Sequence, residues 1–305
     1  LQQALSMLRE TYPQHLLPHG VAAEDAAVVP KVFEGAMLQS VDTLRAMVSD
    51  PFVMGQITAQ HSLSDIYAAG AQPTSAQAHV VLPFCSARIQ RDDLQQVLAG
   101  MLDVLQNAGC VLIGGHSLQG PEMQLGLVVN AQMRNGDAPR RKEAVQVGDR
   151  LILTKPLGTG LLFAAHMQLL ADGRDISAAI DQMRLGNAQA SEIASGFEVR
   201  AATDVTGFGF LGHLVEMLPN GIGARLQAAS IPLLPGVRQM ADSGLRSTLW
   251  ASNASTVQCR LRVATSATAA LGDEPTAILC DPQTSGGLLL CLLYTSPSPR
   301  DLSTS

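Results

Sequence analysis

The stretch V-R-A-A-T-D-V-T-G-F-G-F-L-G-H, from Val199 to His213, limits the possible folds more than any other part of the sequence. Its strand-like start ends at Asp204, a glycine-rich turn follows, and apolar residues then recur at helical spacing from Phe210 to Leu218. This order predicts a strand, a glycine turn and a helix whose first N–H groups can meet an anion. A carboxylate at the strand end would repel a bare phosphate. Asp204 therefore indicates a cation between them, and Mg²⁺ is the cation that favours oxygen ligands and phosphates.

Length and composition set the class of protein. The 305 residues suffice for two domains, and 47% hydrophobic with 15% charged residues indicates a globular chain. A net charge of -6 argues against nucleic acid and anionic membranes as partners. No apolar run is long enough to span a bilayer. The five cysteines show no C-x-x-C pairing, so we expect a reducing, cytoplasmic location.

Strand-like and helix-like segments follow one another along the chain, which predicts an α/β protein. The predicted strands are 21–29, 36–43, 78–82, 110–113, 125–133, 151–154, 199–205, 277–280 and 288–293, and the predicted helices are 1–12, 55–69, 94–105, 161–170, 186–197, 210–218 and 237–242. The polar stretch 135–148 predicts a boundary between an N-terminal domain, 1–145, and a C-terminal domain, 146–293. Residues 294–305 change composition abruptly and are interpreted as a non-native or disordered tail.

Four aspartates share one kind of setting. Asp25, Asp42, Asp65 and Asp204 each lie beside small residues or glycine at a predicted strand or helix end, with few basic residues nearby. Each one alone is more often a turn or helix cap. Several uncompensated carboxylates brought together are costly unless cations neutralise them, so the set as a whole favours a metal site.

Six motifs together resemble the selenophosphate synthetase (selenide, water dikinase) family. They are E-D-A-A-V, S-D-I-Y-A-A-G-A-Q-P, A-G-C-V-L-I-G-G-H-S, L-T-K-P-L-G-T-G, T-D-V-T-G-F-G-F-L-G-H-L and D-P-Q-T-S-G-G-L-L, in order from about residue 16 to 293. The last two are highly specific in combination. The second alone would fit the wider superfamily, which includes aminoimidazole ribonucleotide synthetase and thiamine monophosphate kinase.

The resemblance implies a fold, a reaction and a set of site residues. The fold would be the two-domain aminoimidazole-ribonucleotide-synthetase-like ATP-binding fold, each domain a mixed sheet packed with helices, in a homodimer. The reaction would make selenophosphate from ATP, selenide and water, releasing AMP and phosphate. The implied Mg²⁺ ligands are Asp25, Asp65 and Asp204, and the implied ATP contacts are Ala22, Ala23, Glu24, Asp42, Asp65, Gly115, His116 and Ser117.

The sequence departs from the family pattern in three respects. The family's nucleophilic Cys (or selenocysteine) and Lys, carried on an N-terminal glycine-rich loop, have no counterpart after Leu1, so no catalytic residue is assigned. Cys85 and Cys110 do not match that loop and are interpreted as core thiols. The sequence also stops before the family's last helix and strand. We therefore expect a fragment that is inactive by itself. His61 replaces an Asn of some members, and a neutral imidazole could hydrogen-bond in its place.

Other interpretations of single motifs remain open. The residues from Gly207 to Gly212 fit G-x-G-x-x-G, but Asp204 and the lack of a second acid about 20 residues on argue against a dinucleotide site. Lys155 could touch phosphate or be an ordinary lysine at a strand–turn junction, and His213 is expected to face its own domain. The alternative functions are another ATP-binding enzyme of the superfamily, or a non-catalytic nucleotide-binding homologue.

Overall fold

The computed structural model describes residues 27–29, 37–133, 137–272 and 274–293. The strands are β1 (Ala27–Val29), β2 (Met37–Arg45), β3 (Gln72–Pro83), β4 (Val111–Gly120), β5 (Gln124–Gln132), β6 (Arg150–Leu153), β7 (Val199–Asp204) and β8 (Leu288–Leu292). The α-helices are α1 (Pro51–Ala68), α2 (Ala87–Asn107), α3 (Thr159–Met167), α4 (Gly173–Arg184), α5 (Ala188–Ala194), α6 (Gly209–Met217), α7 (Val237–Asp242), α8 (Trp250–Val257), α9 (Thr265–Leu271) and α10 (Thr276–Leu279).

The N-terminal sheet is mixed, with strand order β1-β2-β5-β3-β4. Only β3 and β4 run parallel, and the other described pairs are antiparallel. Strand residues alternate between faces, and in β2 Leu38 and Ser40 are buried whereas Met37, Gln39 and Val41 are exposed. One face of the sheet therefore covers the N-terminal core beneath α1, and the other face is exposed.

Helices α1 and α2 pack against each other through two glycines. The Asp50 carboxylate caps the first turn of α1, where Pro51 starts the helix, and Ser86 caps α2. A Cβ on Gly55 would lie 2.3 Å from the Val97 carbonyl oxygen, and one on Gly100 would lie 2.0 Å from the Phe52 carbonyl oxygen. Glycine at both positions thus allows the two backbones to touch, which fixes α1 over the sheet.

The C-terminal sheet has the strand order β6-β8-β7, and both of its described pairings are antiparallel. The ends of β6 and β7 and the start of β8 meet at one edge, because Leu153 pairs with Leu289 and Asp204 pairs with Leu288. Helices α3, α4, α6 and α7 contribute apolar side chains to the core of this domain. The loops that leave this edge carry three of the six sequence motifs.

The predicted fold class, two α/β units with sheets and packed helices, is confirmed. The strands 125–133, 151–154, 199–205 and 288–293 and the helices 55–69, 161–170, 210–218 and 237–242 occur within a few residues of their predicted bounds, and the predicted helix 94–105 forms part of α2, which begins at Ala87. The predicted helix 186–197 shortens to α5. The predictions for 1–12, most of 21–29 and the tail 294–305 lie outside the described residues.

Three local predictions are wrong. The segment 277–280 is not a strand but belongs to the single helical turn α10, which follows Pro275 and is buried. The apolar run 110–113 predicts a buried strand and leads into β4, yet Val111 and Ile113 are exposed because β4 is an edge strand. Asp42 lies inside β2 and not at its end, since the strand continues to Arg45.

Two further expectations concern the burial of the cysteine thiols and the absence of a membrane-spanning segment. All five cysteines are free thiols; Cys110, Cys280 and Cys291 are buried, and burial raises the pKa of each to about 11 or 12. Cys85 is exposed in the loop after β3, so the expectation that it is a core thiol is wrong. None of the helices described above is both long and apolar enough to cross a bilayer.

Candidate functional site

Three glycine-containing loops meet at one edge of the C-terminal sheet. They follow β6 (154–158), follow β7 (205–208) and precede β8 (281–287). Backbone bonds join them: Val205 N–H donates to the Gly287 carbonyl at 2.9 Å, and Gln283 N–H donates to the Thr206 carbonyl at 2.9 Å. Motifs that are about 50 to 80 residues apart in the sequence thus form one surface.

Asp204 ends β7 at this edge and is buried. Its neighbour is Lys155, whose ammonium donates to the Ser285 carbonyl at 2.9 Å and to the Leu185 carbonyl. Burial lowers the pKa of Lys155 to about 8, and the Asp204 charge opposes that shift. Lys155 is thus a basic neighbour of Asp204.

Helix α1 brings His61 against the loop before β8. The ring Nδ1 accepts a hydrogen bond from the Ser285 N–H at 3.1 Å, and Nε2 lies 4.0 Å from an Asp42 carboxylate oxygen. Burial lowers the pKa of His61, Asp42 opposes this shift, and Lys155 adds to it. A neutral imidazole with its proton on Nε2 satisfies both contacts, and it accepts a bond as the sequence analysis expected of this residue.

Asp65 lies one helical turn after His61 and accepts a hydrogen bond from the Ser40 hydroxyl of β2. A chain of contacts therefore runs from Asp42 through His61, Ser285 and Lys155 towards Asp204, and α1 also carries Asp65. Sequence reasoning missed Ser40. The signal was present, since Ser40 and Asp42 are two residues apart on one strand and share a face.

Gly115, His116 and Ser117 lie within β4 and not in a turn. A single row of paired residues crosses the sheet from Asp42 through Leu127 and Ala78 to Gly115. Three strand spacings separate the ends of that row, about 14 Å. The structure therefore does not bring these three residues against Asp42 within the chain. The remaining predicted residues, Ala22, Ala23, Glu24 and Asp25, lie outside the described ranges.

The first turn of α3 is already occupied by side chains of the protein. Gly158 and Thr159 N–H groups donate to the Gln283 side-chain carbonyl at 2.8 and 3.2 Å, and Leu161 N–H donates to Asp281 at 2.8 Å. The helix start in L-T-K-P-L-G-T-G therefore has protein partners for these N–H groups. The loop D-P-Q-T-S-G-G thus shapes the edge through its side chains as well as its backbone.

The comparisons with known sequences agree with this architecture. The family described as AIR synthase related protein matches with its N-terminal domain over residues 23–133 and with its C-terminal domain over 146–292. The chain is 38% identical over 293 residues to selenide, water dikinase of Pelobacter propionicus. The aligned region covers 96% of this chain and 82% of that protein. The chain belongs to the selenide, water dikinase family. A 37% identical member from Pseudomonas straminea covers 94% of this chain and 79% of its own length.

Solved structures confirm the fold of this selenide, water dikinase family member. Thiamine monophosphate kinase from Aquifex aeolicus superposes with a TM-score of 0.65 at 12% identity, covering 97% of this chain and 90% of that chain. Hydrogenase maturation protein HypE in complex with ATP gives a TM-score of 0.58 at 17% identity, covering 88% of this chain and 72% of that chain. At such identities the likeness concerns the fold alone.

Proposed function

We propose that this protein makes selenophosphate from ATP, selenide and water, and releases AMP and phosphate. The observation that carries the proposal is the meeting of Asp204 and three glycine-containing loops with helix α1, in a chain that belongs to the selenide, water dikinase family. Phosphoryl transfer needs mainly positioning and charge neutralisation. Loops joined by backbone bonds supply the positioning.

We propose Mg²⁺ as the metal, with Asp25, Asp65 and Asp204 as its protein ligands. Among the described residues, no three His, Cys, Asp or Glu side chains form a ready-made metal site. Mg²⁺ is usually held by one or two carboxylates with substrate phosphates and water. Asp65 and Asp204 therefore fit a metal that arrives with the nucleotide. When bound, Mg²⁺ would neutralise charge on the phosphate oxygens.

The proposed nucleotide contacts include the β2 and α1 carboxylates beside His61. The full set is Ala22, Ala23, Glu24, Asp42, Asp65, Gly115, His116 and Ser117. Lys155 and His61 hold the Ser285 backbone from opposite sides, through its carbonyl and its N–H. Their role in this proposal is to fix the loop before β8 in the position that faces the nucleotide.

A homodimer and a cytoplasmic location also belong to this proposal. The outer face of the N-terminal sheet exposes apolar side chains that include Val41, Val111 and Ile113, and a second copy could cover them. Five free thiols are consistent with a reducing compartment. We further propose the domain division 1–145 and 146–293, since the chain passes from one sheet to the other between β5 and β6, with 294–305 as a non-native or disordered tail.

Phosphorus NMR tests the reaction. The protein with its complete natural chain is incubated with ATP, Mg²⁺ and selenide under anaerobic conditions. We expect selenophosphate, phosphate and AMP in equal amounts, and no ATP consumption when selenide is omitted. In a parallel incubation with thiamine monophosphate in place of selenide, formation of ADP would instead support another enzyme of the superfamily. A folded protein that consumes no ATP would support a non-catalytic homologue, and either outcome overturns the proposal.

A further inference from the structure

His213 lies in α6, buried, and its ring reaches back to the loop that follows Asp204. The Nε2 atom accepts a hydrogen bond from the Thr206 backbone N–H at 3.1 Å and lies 3.3 Å from the Thr206 hydroxyl. An imidazole nitrogen that accepts a bond carries no proton, so the ring proton is on Nδ1. This ring takes part in none of the contacts that connect Asp42 to Lys155.

An ion pair lies at the other end of the ring. The His213 Nδ1 atom lies 3.5 Å from a Glu216 carboxylate oxygen, and the buried Lys142 ammonium lies 3.4 Å from the same oxygen. Burial works to raise the pKa of Glu216, but the contacts with His213 and Lys142 outweigh it and lower the pKa. Glu216 is thus a carboxylate within reach of Nδ1, as a carboxylate is behind a metal-bound histidine, although the 3.5 Å approach is not a formed hydrogen bond.

Thr206 is held from the opposite side as well. Its carbonyl accepts hydrogen bonds from the Gln283 N–H at 2.9 Å and from the Gly209 N–H at 3.0 Å. The preceding residue, Val205, donates to the Gly287 carbonyl at 2.9 Å. The two residues directly after Asp204 are therefore fixed between the loop before β8 and the ring of His213.

We propose that His213 is a positioning residue, held by Glu216 and Lys142, that fixes the backbone after Asp204 and so aims the Asp204 carboxylate at the metal–nucleotide complex. The inference rests on the proposed function, because it assigns Asp204 to Mg²⁺. Loss of the Nε2 acceptor leaves a buried N–H without a partner two residues from that carboxylate. A displacement of about 1 Å at such a site costs up to about a hundredfold in function.

The test compares four variants in the full-length protein by calorimetric titration with ATP at several Mg²⁺ concentrations, below the unfolding temperature of each. His213→Phe removes the acceptor and keeps an aromatic ring, whereas His213→Gln offers an oxygen near the position of Nε2. Glu216→Gln keeps a bond acceptor for the ring and removes the charge. Leu214→Ala, buried in the core on the same helix, is the control for general loosening.

We expect His213→Phe to raise the Mg²⁺ concentration for half-maximal ATP binding by about tenfold or more, and His213→Gln to recover most of this loss. Glu216→Gln changes a side chain that is 33% exposed and should raise this Mg²⁺ concentration by about threefold. Leu214→Ala should lower the melting temperature with little change in the Mg²⁺ concentration for half-maximal ATP binding.

Two results overturn the inference, and they are distinguishable. If the wild-type protein binds ATP with Mg²⁺ and the His213 and Glu216 variants need no more Mg²⁺ than Leu214→Ala, the positioning role is wrong and the proposed function stands. If the wild-type protein shows no Mg²⁺-dependent ATP binding at all, the proposed function fails and the inference fails with it. Glu216→Gln decides the matter where His213→Phe does not fold.

Discussion

The His61 ring is a single side chain that connects both halves of the molecule. It stands on α1, yet its Nδ1 accepts from Ser285 of the C-terminal domain and its Nε2 faces Asp42 of β2. Because burial and Lys155 keep its pKa low, it stays neutral and does not add a charge beside the carboxylates. An amide also offers one acceptor and one donor group, so it has the hydrogen-bonding groups that these two contacts need.

Asp281 is a fully buried carboxyl group beside the first turn of α3. Burial raises its pKa to about 7, against the opposing effect of hydrogen bonds from the Leu161 N–H and Gln283. The folded state therefore holds a proton that the unfolded state loses near pH 4, and stability falls as the pH rises from about 4 to about 7. Asn resembles the protonated carboxyl, so Asp281→Asn should lack this slope.

Urea unfolding at several pH values measures the effect. The difference in free energy of unfolding between Asp281→Asn and the wild-type protein should grow in favour of the variant up to about pH 7 and then level off. Groups that titrate equally in both proteins cancel in this difference. Parallel stability curves across the whole range would show that Asp281 stays ionised in the folded protein.

At the scale of elements, long periodic segments were predictable and short apolar ones were not. Helix α2 was found because apolar residues recur over several turns, and β7 followed by α6 was found from the glycine turn at Gly207. Four apolar residues at 277–280 fit a strand or a helical turn equally well, and Pro275 and tertiary packing decided for a turn. The contacts among the three glycine-containing loops depend on sheet pairing, which no local pattern contains.

The turn between β7 and α6 offers a matched pair of glycine substitutions. Gly209 has a φ of 71°, and a Cβ there would lie 2.7 Å from the backbone of Cys280. Gly207 has nothing within 4 Å of such a Cβ. Gly209→Ala should therefore lose about 2 kcal/mol or more of folding stability, and Gly207→Ala about 1 kcal/mol or less.

Thermal and chemical unfolding of the two variants measures this difference directly. Both substitutions add one methyl group to the same turn. A general effect of alanine on stability therefore cancels when the two variants are compared with each other. Equal losses at Gly207 and Gly209 would mean that the close approach of α6 to Cys280 is absent in solution.

At the scale of the whole molecule, one face of the N-terminal sheet exposes apolar side chains in a single copy. Apolar side chains on β2 and β4 are exposed on this face. Val41 is 66% exposed and Val111 is 62% exposed. The sequence resemblance predicted two domains and a homodimer, but the continuous apolar run 110–113 predicted a buried strand. Which sheet faces are covered depends on neighbouring layers, and these are not local properties of the sequence.

A charge on that face should prevent dimer formation. Val111→Glu places a carboxylate among exposed apolar side chains. If a second copy covered this face, the carboxylate would lose its water, and the free-energy cost would oppose dimer formation. Leu169→Glu is the control, since Leu169 is 90% exposed in the loop between α3 and α4 of the other domain. We expect sedimentation equilibrium to show a dimer for the wild-type protein and for Leu169→Glu, and a monomer for Val111→Glu. A dimeric Val111→Glu protein would place the interface elsewhere.

We propose that the two halves of the chain form one Mg²⁺-dependent ATP site that contains Asp204. Calorimetric titration of the wild-type protein and of the isosteric variant Asp204→Asn with ATP, with and without Mg²⁺, and with NAD as a control, tests it most directly. We expect wild-type binding that requires Mg²⁺, and at least about a tenfold weaker affinity in Asp204→Asn with a nearly unchanged melting temperature. Equal ATP affinity in the two proteins would show that Asp204 is not part of the nucleotide site, and binding of NAD in place of ATP would show that the site takes a dinucleotide.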